Sequence, residues 1–221
     1  MKKTFAQLFL WGVLGCILSG CAKDQSLDRL ISQQQATLQV VNQELERLNH
    51  ELQQAKQSKE DLAKAKVELE EKLSQELEAG DMAVSLQNRG LVVTVLDRVL
   101  FDSGKADLKD SSTAALDKIA DILTEKVHGH MIYIEGHTDN APIRFSGWRS
   151  NWELSTARAT EVIHYFTEQK GFQPERLAAV GYGEFHPVTA NDNPQGRLLN
   201  RRVEIVISPK TLTAASTVVG N

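Results

Sequence analysis

Apolar positions follow three regimes along the chain. Phe5 to about Leu18 is a continuous apolar run behind Lys2 and Lys3. From Cys21 to Ala79 there is neither Gly nor Pro, and Gln, Glu, Lys, Leu and Ala dominate, all good helix formers. Within that stretch a 3-4 spacing passes through Leu27, Ile31, Leu38, Val41, Leu45, Leu48, Leu52, Ala55, Leu62, Leu69 and Leu73, the apolar seam of a coiled coil. Gln34, Lys59 and Lys66 interrupt the same track, while Glu60 to Lys64 and Glu68 to Lys72 are favourable i,i+4 pairs. Gly80 marks a helix stop. A helix of roughly 50–55 residues, about 75–85 Å long, cannot bury its stripe against itself. The pattern therefore predicts a homo-oligomer, a dimer or trimer; the alternative is a lone amphipathic helix lying on the globular domain or on a membrane.

After Gly80 the period changes. Residues 82–87 and 91–95 read as strands around an Asn88-Arg89-Gly90 turn, the second running on toward Phe101. Leu116, Ile119, Leu123 and Val127 mark a helix over 112–126, and Leu154, Val162, Ile163 and Phe166 mark another over 154–168. Met131 to Glu135, Leu177 to Val180 and Val203 to Ile207 read as further strands. This βαβαβ order predicts an α+β domain, a mixed sheet with helices on one face, and about 130 residues suffice for one core.

Composition narrows the class. The 221 residues are 41% hydrophobic and 24% charged, and a mean hydropathy of -0.31 excludes a polytopic membrane protein. A net charge of -4 gives no basic excess for nucleic acid. Both cysteines, Cys16 and Cys21, lie at the N-terminus, so no disulfide joins the body of the chain. The apolar run of about 14 residues is short of the roughly 20 that span a bilayer and reads as a signal peptide over 1–20. Leu18-Ser19-Gly20-Cys21 resembles a bacterial lipobox. That resemblance implies cleavage before Cys21, lipidation of its thiol and amine, and, with Ala22 and not Asp following, an outer-membrane destination facing the periplasm. The expected organisation is a lipidated spacer over 21–80, a globular domain over 81–210 and a flexible tail over 211–221.

Five motifs follow one another in the globular part: Phe101-Asp102-Ser-Gly-Lys-Ala-Asp-Leu108, Ile134-Glu-Gly-His-Thr-Asp139-Asn140, Asn151-Trp-Glu-Leu-Ser-Thr-Ala-Arg158-Ala159, Gly181-Tyr-Gly-Glu184, and Asn200-Arg201-Arg202-Val203-Glu204. Over about residues 90–208 this resembles the OmpA-like C-terminal domain. The resemblance implies non-covalent binding of peptidoglycan through the diaminopimelate of its stem peptide. It implies that Asp139 takes the ligand's ammonium and Arg158 its carboxylate. It also carries Thr138, Asn151 and Arg201 as ligand contacts, and Asp102 as a contact through its backbone. The chemistry suits those types: one carbon bears both charges, and a guanidinium holds a carboxylate bidentately. Asn151 is alternatively a helix N-cap, and of Arg201 and Arg202 one binds while the other packs, with Arg201 the candidate. Between Asp139 and Asn151 the chain departs from the lipoprotein branch of the family and resembles its motility branch, with Pro142-Ile143; Trp148 and Trp152 either cover the glycan or the peptide or only pack the loop.

No catalytic role is expected. No Gly-x-Ser-x-Gly elbow, His-Glu-x-x-His or P-loop occurs, and His128 and His130 are separated from His137 and Asp139 by a strand, which argues against one metal site. Cofactors are not expected beyond the lipid on Cys21. The expected function is a tether between outer membrane and peptidoglycan. The alternative is an envelope scaffold whose coiled coil recruits a secretion, division or motility partner.

Overall fold

The computed structural model describes residues 4–143 and 147–209, with side chains from Gln25 onward. The expected signal peptide and Cys21 have no described side chains, and the expected tail over 211–221 lies outside the described residues. The elements are α1 (Thr4–Lys72), α2 (Ser74–Glu78), β1 (Met82–Gln87), β2 (Gly90–Leu96), α3 (Asp97–Leu100), α4 (Thr113–Lys126), β3 (Ile132–His137), α5 (Asn151–His164), β4 (Leu177–Gly181), α6 (Pro194–Asn200) and β5 (Arg202–Ile207). Contacts divide the chain into one unit ending at Leu52 and a second beginning at Gln53.

Among the described residues the first unit is helix alone. Its seam residues Ile31, Leu38, Val41, Leu45, Leu48 and Leu52 are 44–60% exposed. Arg47 bridges Glu44 and Glu51 at 2.6 and 2.5 Å along the surface, pairs of a kind that contribute only a few tenths of a kcal/mol each.

The second unit is built on a five-stranded sheet ordered β1-β2-β5-β3-β4. Only β3 and β4 are parallel, as the intervening helix α5 requires; the other pairs are antiparallel. Alternate residues of the central strands (Leu91, Val93, Val95, Ile132, Ile134, Val203, Ile205, Ile207) enter one core with Leu116, Ile119 and Leu123 of α4 and Ala159 and Val162 of α5. The expected α+β class and the single helical layer are therefore present.

The domain boundary differs from the expectation of 81. Leu62, Ala65, Leu69 and Leu73 are 0–2% exposed and belong to the same core, so the end of α1 is part of the globular unit and not spacer. The seam turns by one position to do this. Its buried members are Ser58, Leu62, Ala65, Leu69 and Leu73, which leaves Lys59 and Lys66 outside; the small Ser58 and Ala65 allow close approach. Lys126 to Glu68 (3.1 Å) and Lys118 to Glu76 (2.8 Å) clamp α1 and α2 onto α4. Gly80, with φ +70°, then ends the helical run.

Two further details place the site. Strand β2 stops at Leu96 instead of running on toward Phe101, because Asp97 opens the short helix α3. At the end of β3, Gly136 lets α5 approach so closely that a Cβ there would lie 2.0 Å from the Ser155 carbonyl oxygen.

Candidate functional site

The C-terminal end of β3, the start of α5, the 96–109 segment and Arg201 enclose a cleft of about 880 Å³. All six residues expected to contact ligand, Asp102, Thr138, Asp139, Asn151, Arg158 and Arg201, line it. Ligand groups commonly collect at the carboxyl ends of strands in such sheets.

Asp139 sits just past β3 and is 6% exposed. Its Oδ1 accepts the Ala141 amide at 3.0 Å and its Oδ2 meets Arg201 Nη1 at 2.5 Å. Thr138 is held between strands, its amide donating to the Gly183 carbonyl at 2.9 Å and its hydroxyl donating to the Asp139 carbonyl at 3.0 Å. Asn151 is not the helix cap: the Ser150 hydroxyl accepts the Trp152 amide at 3.2 Å in that role. Asn151 instead donates to the Ala141 carbonyl at 3.1 Å and to Glu184 Oε2 at 2.5 Å, which ties the Asp139 loop to the β4 end. Asp102 is the exposed member, 3.3 Å from Lys105 and 3.6 Å from Lys109.

Arg158 is 3% exposed. Its Nε donates to the Lys105 carbonyl at 2.9 Å, its Nη1 lies 2.9 Å from Asp97 Oδ1, and its guanidinium covers the Phe101 ring at 5.2 Å. Burial pushes Arg158 below the usual arginine range, with Asp97 opposing. Burial likewise raises Asp97 above the usual carboxylate range, against the pull of Arg158. Each partner weakens, but does not cancel, the other's cost of leaving water.

Sequence reasoning missed Asp97. The signal was present: a lone acid inside the apolar run Leu91 to Phe101. It also missed Glu184 as the anchor of Asn151, and it missed α6. That helix carries an Asn-Pro start, in which the Asn193 side chain accepts the Gly196 amide at 2.8 Å. The end of α6 aims Arg201 into the cleft, while Arg202 turns to the opposite face and bonds Glu204 at 2.6 Å; the pair divides between cleft and packing.

That opposite face holds the donors best placed for a metal among the described residues. Ligand atoms of Glu135, His137 and Glu204 lie within 4.8 Å of one another. Arg89 bridges both carboxylates and Arg202 adds a bond to Glu204, so the charge is already matched and the arrangement reads as an ion-pair network. His137 stacks on Tyr182 with centroids 5.0 Å apart. Burial, helped by Arg202, pushes its pKa down to about 3, so it stays neutral. His130 lies elsewhere, its Nε2 3.0 Å from Ser58 Oγ.

Residues 100–201 match the OmpA family. Motility protein B of Bacillus subtilis is 34% identical over 151 residues, covering 68% of this chain and 58% of that protein. Outer membrane porin F of Pseudomonas aeruginosa is 36% identical over 113 residues, 51% of this chain and 31% of the porin. Among solved structures, the cell wall anchor of the T6SS from Pseudomonas aeruginosa superposes with a TM-score of 0.59 at 34% identity, over 64% of this chain and 97% of the anchor. A putative MotB-like protein from Desulfovibrio vulgaris gives 0.63 at 25% identity, over 72% and 98%. The chain spans about half the length of the curated relatives first matched, 58% and 54%.

Proposed function

Because the chain belongs to the OmpA family through its domain at residues 100–201, we propose that the cleft grips peptidoglycan and that the protein tethers the envelope to the wall. The observation that carries the reading is the meeting of Asp139, Arg158 and Arg201 in one cleft with Thr138, Asn151 and Asp102. A diamino acid presents an ammonium and a carboxylate on one carbon. The ammonium exchanges with Arg201 on Asp139. The carboxylate takes the Nη2 edge of Arg158, whose Nε and Nη1 are held by Lys105 and Asp97. The released Arg201 then faces the ligand's carboxylate as well. Pre-paired charges keep the cleft from presenting a bare buried ion before ligand arrives. No step requires a nucleophile or a metal, and we assign no catalytic role.

In this reading Cys21 carries the lipid that holds the chain in the outer membrane, facing the periplasm, and the exposed seam over Ile31 to Leu52 packs against further copies of the chain. The same exposed seam supports the scaffold alternative, in which it recruits a different envelope protein.

Co-sedimentation of the full chain in detergent with purified sacculi tests the grip. The parent is expected to pellet, while Asp139→Ala and Arg158→Lys, checked for folding, stay in solution. Arg158→Lys keeps the charge and removes the planar fork. A parent that stays in solution, or variants that pellet equally, would refute the assignment.

A further inference from the structure

A second cleft, of about 750 Å³, adjoins the first and shares Gly104 and Lys105 with it. We propose that this cleft is a carbohydrate subsite in which the Trp148 and Trp152 indoles take pyranose rings of the glycan strand; the inference rests on the wall-binding reading above.

Arg158 Nε donates to the Lys105 carbonyl at 2.9 Å, and Trp148 Nε1 donates to the Gly104 carbonyl at 3.0 Å. The two side chains thus hang from consecutive residues of one strap, whose Cα atoms are about 3.8 Å apart. On the other wall, Asn151 lines the first cleft and its neighbour Trp152 the second. In peptidoglycan the diamino acid is the third residue of a peptide joined to the sugar through a lactyl group. Two residues and that linker span about 10 Å, so a ligand whose diamino acid lies on Arg158 delivers its sugar next door.

Trp152 is 47% and Phe185 59% exposed, and the two rings stack at 5.1 Å with 23° between planes. The stack holds a flat apolar surface rigidly in water. The bond to Gly104 fixes the Trp148 plane in the same way. A pyranose ring offers an apolar C–H face and a rim of hydroxyls; the indoles match the face, and Glu153 and Thr156 in the lining of the cleft match the rim. Asp107, Glu153 and Glu161 in the same lining disfavour a polyanion.

The test titrates the full chain in detergent with two probes: a tripeptide carrying diaminopimelate third, and the same tripeptide on an N-acetylglucosamine–N-acetylmuramic acid disaccharide. The parent is expected to bind the glycosylated probe about three- to tenfold more tightly. Trp152→Ala removes that gain and leaves the tripeptide Kd unchanged; Trp148→Phe, which loses the anchoring N–H to Gly104 and part of the aromatic face, reduces it. Equal affinity of the parent for both probes overturns the subsite, as does an equal loss for both in Trp152→Ala. A parent that binds neither probe sinks the wall-binding reading, and the subsite with it.

Discussion

Removing the Asp97 carboxylate leaves the Arg158 guanidinium buried without its counter-charge. Arg158 is 3% and Asp97 7% exposed, with 2.9 Å between them. Breaking such a pair from one side costs about 3–5 kcal/mol. At about 2–4 °C per kcal/mol for a unit of this size, Asp97→Ala lowers Tm by about 6–20 °C. The pair as a whole is a different matter. Burial drives Asp97 up and Arg158 down, each toward its neutral form, despite the partner. Desolvation therefore outweighs attraction, and removing both charges relieves it. Asp97→Val combined with Arg158→Met keeps the summed volume to within about one methylene and keeps the packing over Phe101, and is expected to match the parent or exceed it by about 1–4 kcal/mol. Sacculus binding is lost all the same. Urea denaturation of parent, both single variants and the double measures the coupling. A single variant within about 1 kcal/mol of the parent, or a double variant as unstable as the sum of the singles, would refute the argument that this pair serves the ligand and not the fold.

Acid stability depends on His137. With its folded pKa at about 3 and an unfolded value of about 6.5, the unfolded chain takes a proton that the folded chain refuses. Stability thus falls as pH drops through that window, by about 4–5 kcal/mol in all. His137→Phe keeps the stack on Tyr182 and should flatten the slope; a loss between pH 6.5 and 4 as steep as the parent's contradicts this. Gly136→Ala drives a Cβ to 2.0 Å from the Ser155 carbonyl, and calorimetry should register a loss of about 1–3 kcal/mol. Leu69→Ala, at a fully buried site, is expected to destabilise the C-terminal unit by about 2–5 kcal/mol. Leu45→Ala, 53% exposed, changes the same unit by less than about 0.5 kcal/mol. Equal effects of the two would place the domain boundary wrongly.

The helical seam, the strands and the two principal helices were legible because burial periodicity is local: it needs only the residues of one element. The candidate site was legible through motifs, and all six named residues meet in one cleft. The electrostatic pairing within it was not. Asp97 and Arg158 are far apart in sequence, and nothing along the chain distinguishes Asp97 as the partner of Arg158. Nor could spacing decide between Ser150 and Asn151 as the cap, since both are competent and only the backbone turn selects one.

The boundary between spacer and domain shows the division most clearly. By itself the sequence determined that residues 21–79 form helix with an apolar stripe, because propensity and period are properties of the segment. Where that stripe finds its partner was a tertiary decision. Ser58, Leu62, Ala65, Leu69 and Leu73 are buried because the core of the second unit offers them a complementary surface. Ile31 to Leu52 carry the same pattern and remain exposed. Hydrophobic burial is non-directional: a stripe specifies that something must cover it, and only the assembled fold specifies what.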